Sequence, residues 1–301
     1  MESKLSTTTT QQRIRDYYDV TKPNVISLLV FTGAATYIAS AGWNTNIITL
    51  IMVSGSIWLG SAAANTVGSY FDRDIDVIMT RTKSRPIPTG RISPTSARTY
   101  GLVLLALSLA LSYYLSPLSS LAMLAGFVDY AVVYSYLLKR RSWLNIILGG
   151  FSGVMPVLVA YFAAKNPVLP LVCAIFLGFL VFFWIPEHIW SLAIRFRQQY
   201  AEAKIPMLPV LMGEAKSVQV IAITTIIMVV YSFIPLLDSS FGLHIVYDLT
   251  AVSLGALMLA CNVWLLRQPS AARAWTVFKI SSPYLFFVFI GVVADVLVRL
   301  H

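Results

Sequence analysis

Asn65, Asp72 and Asp76 lie seven and then four residues apart in the segment NTVGSYFDRDIDVIMTRTKSRPIPTGRIS. At roughly 100° per helical residue these three side chains share one face, while Asp74 points elsewhere. Two carboxylates four apart repel each other, and at a helix C-terminus they also oppose the macrodipole. The arrangement calls for a cation. Mg2+ suits it, being oxygen-seeking and commonly held by one or two carboxylates plus the oxygens of a substrate phosphate. Arg81, Lys83 and Arg85 follow closely and could grip phosphate oxygens directly, arginine through its planar fork and lysine as a point charge. The chemistry indicated is activation of a diphosphate leaving group. A plainer reading is a basic loop flanking a membrane helix, its Asp and Arg residues neutralising one another. The shared helical face and the RPIPTG run that follows weigh against it.

Such residues need elements to hold them, and the composition says which kind. Of 301 residues, 57% are hydrophobic and only 12% charged, with a mean hydropathy of +0.75. Soluble domains run nearer about 45–50% apolar and about 25% charged. A secreted disulfide scaffold, a disordered chain and an ordinary cytosolic enzyme are all excluded. A transmembrane helix needs about 20 mainly apolar residues. Nine candidates appear, at about 24–41, 46–70, 98–115, 118–138, 143–163, 168–194, 217–237, 243–266 and 275–298. The expected fold class is therefore all-α: a multi-pass membrane protein with a single bundle of nine transmembrane helices over residues 13–301, behind a disordered tail at 1–12. Two connections are long and polar, at about 72–97 and 195–216.

With the N-terminus placed in the cytoplasm, every Lys and Arg except Lys165 and Arg299 falls on the cytoplasmic side. The positive-inside rule thus predicts a cytoplasmic N-terminus, an external C-terminus and both long loops on the cytoplasmic face. The net charge of +9 belongs to this pattern and not to nucleic-acid binding. Cys173 and Cys261 sit far apart inside apolar runs and read as core thiols. The partner that composition itself names is the lipid bilayer.

The pattern N-x₆-DRDID-x₄-RT-x₂-RPIPTGRI resembles the signature of the UbiA superfamily of intramembrane prenyltransferases. Two later segments, VYSYLLKRRSWLNIILGGFSGVMP and WIPEHIWSLAIRFRQQYAEAKIPMLPV, are similar to those of its haem-farnesylating branch. The resemblance covers nearly the whole chain from about residue 15, with three separated motifs in order. It implies farnesyl diphosphate and haem b as substrates, Mg2+ as cofactor, and haem A synthase or terminal-oxidase assembly as further partners. It also implies that Asp72 and Asp76 hold the metal and that Lys139 and Arg140 join the diphosphate grip. Arg195, Tyr200 and Lys204 are the groups with which the second loop would help close that site. The chain departs from the family in two places. Gly68 stands where an Asn is usual, leaving Asn65 to take over that role, and Gln198 and Gln199 stand where an acidic residue commonly precedes the Tyr.

On the acceptor side, His188 lies near the end of the sixth span between Trp184 and Trp190. An ionisable residue at membrane depth is a functional candidate by default. The resemblance gives it a role in positioning the porphyrin, by axial contact or by a propionate hydrogen bond. Tyr130, Tyr134 and Trp184 could offer π-faces to an allylic cation. Asp129 reads as a helix–helix hydrogen-bonding group. Rival readings are the same chemistry with another acceptor, such as an aromatic acid, a quinone precursor or a lipid, and a membrane carrier. Against a carrier, the charges cluster at one mouth and no inverted repeat is visible.

Overall fold

The computed structural model describes residues 9–301. Serine–proline and asparagine signals start many of the helices. In α5 (Pro94–Leu115) and α6 (Pro117–Val128), proline occupies the first turn and the preceding Ser93 or Ser116 side chain accepts a backbone N–H. Before them come α1 (Thr10–Val20), α2 (Pro23–Ala41), α3 (Ile47–Phe71) and the short α4 (Arg73–Ile78). After α6 the chain continues as a π-helix over Asp129–Leu138. Then follow α7 (Asn145–Leu148), a 3₁₀ turn at Gly149–Gly153, and α8 (Met155–Ala163). The series closes with α9 (Leu171–Arg195), α10 (Arg197–Glu202), α11 (Leu208–Ser232), α12 (Ile234–Leu237), α13 (Ile245–Arg267) and α14 (Ala271–Arg299).

Among the described residues these segments make nine helical stretches long and apolar enough to cross a membrane, as the apolar runs predict. Two boundaries differ from the sequence reading. The tail expected over residues 1–12 lies outside the described residues as far as residue 8, and Thr10 already opens α1. The seventh span begins at Leu208, not 217. Gly213, at φ 78 and ψ 174, is non-helical, so the residues from Leu208 form a short helical turn kinked against the long helix that the polar Glu-Ala-Lys run opens.

Neighbouring helices approach closely where side chains are small. A Cβ on Gly60 would stand 2.1 Å from Met123 Sδ, and one on Gly33 2.2 Å from Ile57 Cδ1. Serine hydroxyls bond across helices, Ser108 to the Ser56 carbonyl at 2.7 Å and Ser119 to that of Val159 at 2.9 Å. This is the packing chemistry of helices in lipid, where burial of apolar surface supplies little driving force. Ile223, Ile226, Val230, Leu249 and Phe287 face outward instead, as a hydrocarbon solvent permits. On the end of the bundle away from the long loops, Asp295 of α14 accepts the backbone N–H groups of His244, Val246 and Tyr247, capping α13. Cys173 is buried and Cys261 half-buried, neither in a disulfide.

Candidate functional site

α3 ends at Phe71, and Asp72 links it to α4, with the Asp76 N–H still bonded to the Asp72 carbonyl at 2.8 Å. This near-continuous turn keeps Asp72 and Asp76 on one inward face, each 4% exposed, and turns Asp74 outward. Asp76 receives Arg85 Nη1 at 2.9 Å, and Asp72 receives Lys139 Nζ at 2.5 Å. Burial works against the charge on Lys139, but the Asp72 carboxylate beside it more than offsets this and holds its pKa above the ordinary lysine value.

Lys139 reaches Asp72 because of the π-helix. Its N–H bonds the Tyr134 carbonyl five residues back, at 2.8 Å. An α-helix would turn two and a half times between Tyr130 and Lys139 and set them on opposite sides. With about 4.4 residues per π turn, Tyr130, Tyr134 and Lys139 share one face. Tyr130 and Tyr134 have ring centroids 5.4 Å apart, and Lys139 Nζ lies 5.5 Å from the Tyr134 centroid. The Tyr130 hydroxyl donates to Asn65 Oδ1 at 3.0 Å. A Cβ on Gly68 would come within 3.1 Å of the Tyr130 ring, so this glycine makes room for the tyrosine that holds Asn65.

Sequence reasoning missed Lys22. It is half-buried, sits in the left-handed region at φ 58 between α1 and α2, and shares a small cleft with Asp76 and Arg85. Burial first and Arg85 second push its pKa down to about 7. The signal available was a lysine directly before the proline that opens the first span. Asn145 was missed as well. It is fully buried, with Oδ1 unpaired, and lines the larger cavity described below.

Other expected groups lie apart from the carboxylates. Arg140 binds Asp74, lowering that carboxyl's pKa, and also donates to the Phe71 carbonyl. Arg81 is exposed, its guanidinium 5.4 Å from the Phe196 ring and its N–H donated to Gln199 Oε1 at 3.2 Å. That bond ties the two long loops together. Lys83, Arg195 and Lys204 are exposed, and Tyr200 is buried against Ile205 and Met207. An ion pair between Arg91 and the buried Asp16, at 2.9 Å, clamps α1 onto the first loop.

A cavity of about 540 Å³ opens beside Asn65, Tyr130 and Tyr134. Asn65, Tyr130, Tyr134 and Asn145 line its polar part, with Leu28, Ile57, Phe127 and Met155 in its apolar part. Trp184, His188, Phe278 and Leu285 complete the wall. Asp129 does not face the carboxylates; its Oδ2 accepts the Ser152 N–H at 2.8 Å and joins the π-helix to the 3₁₀ turn.

The donors fit one divalent cation. Asp72 Oδ1 is buried without a hydrogen-bond partner, and the set is all oxygen, as a hard cation requires. No cluster of three or more His, Cys, Asp or Glu side chains occurs among the described residues. Gln199 is engaged with Arg81 and Gln198 with Glu202, so the second loop adds no carboxylate to the pair.

Residues 28–290 match the model of the UbiA prenyltransferase family. Protoheme IX farnesyltransferase 2 of Cenarchaeum symbiosum is 38% identical over 301 residues, covering 95% of this chain and 96% of that relative. Protoheme IX farnesyltransferase of Desulforudis audaxviator is 41% identical, covering 94% and 89%. Among solved structures, one of digeranylgeranylglyceryl phosphate synthase superposes with a TM-score of 0.75 at 19% identity, over 95% of this chain and 99% of that one. A UbiA homologue from Archaeoglobus fulgidus bound to DMAPP and Mg2+ gives 0.67 at 18% identity, over 93% and 99%. At these identities the structures establish the shared fold.

Proposed function

The chain belongs to the UbiA prenyltransferase family, and from that premise we propose that it transfers the farnesyl group of farnesyl diphosphate to a vinyl group of haem b, with addition of water, giving haem O and diphosphate. It is a multi-pass membrane enzyme. Relatives matching almost the whole chain are named for farnesyl transfer to protohaem IX, which supports the acceptor. The observation on this chain that carries the reading is the inward carboxylate pair, each member held by a cation, on the helix whose Asn65 lines the cavity that His188 also lines.

Asp72 and Asp76 would hold Mg2+, with Asn65 beside them. When bound, that ion supplies Lewis-acid stabilisation of the leaving diphosphate. Lys139, Arg85 and Lys22 surround the same point with donors aimed where negative charge develops, which is preorganised electrostatic catalysis. Arg81 and the second loop are joined through Gln199. Tyr130 and Tyr134 present π-faces to the allylic cation, and a desolvated cation over such a ring gains about 2 kcal/mol. The apolar wall keeps water from the cation until the vinyl carbon has attacked. Both long loops lie on the cytoplasmic side in this reading, because the basic residues do.

The test is a product assay. Purified protein is incubated with haem b, farnesyl diphosphate and Mg2+, with an EDTA control, and the porphyrin is weighed by mass spectrometry. A mass gain of one farnesyl and one hydroxyl group, lost with EDTA, is the expected result. Unchanged haem, with farnesyl transferred to an aromatic acid or lipid acceptor in parallel reactions, would reassign the acceptor.

A further inference from the structure

The imidazole of His188 is held on three sides. Trp184 stacks on the ring at 4.3 Å and 25°, and Phe278 lies against it at 4.3 Å and 31°. Its Nδ1 is 2.7 Å from Ser281 Oγ. Ser281 Oγ also lies 2.9 Å from the Phe278 carbonyl, a geometry in which its one proton goes to that carbonyl and its oxygen accepts from His188 Nδ1–H. A neutral imidazole carries a single N–H. Nε2 therefore keeps its lone pair, and with Nδ1 and the ring neighbours accounted for, the Nε2 edge is what the residue offers the cavity it lines. A lone pair is the wrong group for a propionate, which needs a donor. It is the right group for a metal centre.

We propose that His188 Nε2 is the axial ligand to the iron of the acceptor haem, with Ser281 and Glu187 as positioning residues that fix the ligating tautomer. This rests on the haem reading above and chooses between the two contacts open to His188. Glu187 is the independent observation. It is fully buried, neither carboxyl oxygen has a hydrogen-bond partner, and the hydroxyls of Ser191 and Ser281 lie beside it. None of the salt bridges among the described residues involves it. A ligating histidine typically has its other N–H held by a carboxylate, carbonyl or water, which orients the ring and raises its basicity. Here the Ser281 hydroxyl stands between imidazole and carboxyl. The backbone of Ser281 is pinned too, since Trp184 Nε1 donates to its carbonyl at 2.8 Å.

The experiment compares haem b with metal-free protoporphyrin IX, using the full-length protein in lipid nanodiscs and following absorption and resonance Raman spectra. Wild type is expected to bind haem with a histidine–iron signature and on the order of tenfold or more tighter than the metal-free ring. His188→Ala should lose the signature and that preference, keep its affinity for metal-free protoporphyrin, and regain the signature with added imidazole. His188→Gln, closer in volume, replaces it if the alanine variant does not fold. Ser281→Ala and Glu187→Gln should retain ligation with a shifted iron–nitrogen stretch and about tenfold weaker haem binding. An unchanged spectrum and preference in the His188 variant overturns the ligation, and an unmoved stretch in both other variants removes their positioning role. Wild type that converts haem b yet shows no His188-dependent signature overturns this inference alone. Wild type that neither binds nor converts haem b overturns the acceptor reading with it.

Discussion

Asp72 and Asp76 are distinguished from Asp74 by what surrounds them, not by their type. Asp74→Asn removes only a surface pair with Arg140 and should leave turnover within about twofold, since exposed pairs contribute about 0–1 kcal/mol. Asp72→Asn or Asp76→Asn should lower the rate by about 10²–10³, the usual loss for a preorganised electrostatic group, with membrane insertion intact. Near-normal product formation in both would remove them from the metal site. Lys22 carries a pH prediction. Its pKa of about 7 in the free protein rises when a diphosphate arrives, so above about pH 7 binding must take up a proton and weaken with rising pH. Calorimetry in two buffers of different ionisation enthalpy reads that uptake, and Lys22→Met should abolish it and weaken binding about tenfold. The carboxylates and Arg85 were legible from spacing because they sit on one local run of chain. Lys22 was not, because its partners lie on the first loop, more than fifty residues away in sequence.

At the scale of elements, the nine spans were legible because each is a long apolar run, whereas the π-helix was not. Hydropathy sees Asp129–Leu138 as the tail of a span, and a 3.6-residue period puts Lys139 on the wrong side of it. The widened turn is also where the fold is tight. A Cβ on Gly149 would stand 2.5 Å from Tyr134 Cβ. Gly149→Ala should therefore lower stability by about 1–3 kcal/mol, the cost of overpacking. A lowered melting temperature together with a raised KM for farnesyl diphosphate would show Tyr134 and Lys139 displaced, and unchanged values would mean the contact relaxes freely. The departures in the second loop also gain a physical account. Gln199 acts through its carbonyl as a strut to the Arg81 backbone, a role that needs an acceptor but no charge.

For the whole molecule, an odd number of crossings sets the described ends of the chain on opposite faces. Trp43, just beyond the end of α2, lies 6.5 Å from His301 by ring centroids, while α1 lies against the first long loop. With the basic face in the cytoplasm, alkaline phosphatase fused after His301 should be active and a fluorescent protein fused there dark; the reverse would invert the topology. The diphosphate basin has a consequence of a different kind, in the order of encounter. Each carboxylate is paired with a cation of the chain itself, Asp72 with Lys139 and Asp76 with Arg85, so a bare metal ion must compete with two internal partners to enter. A cation arriving with a diphosphate instead permits an exchange in which the carboxylates pass to the metal and the lysine and arginine to the phosphates. Metal and diphosphate should then bind with positive, reciprocal cooperativity.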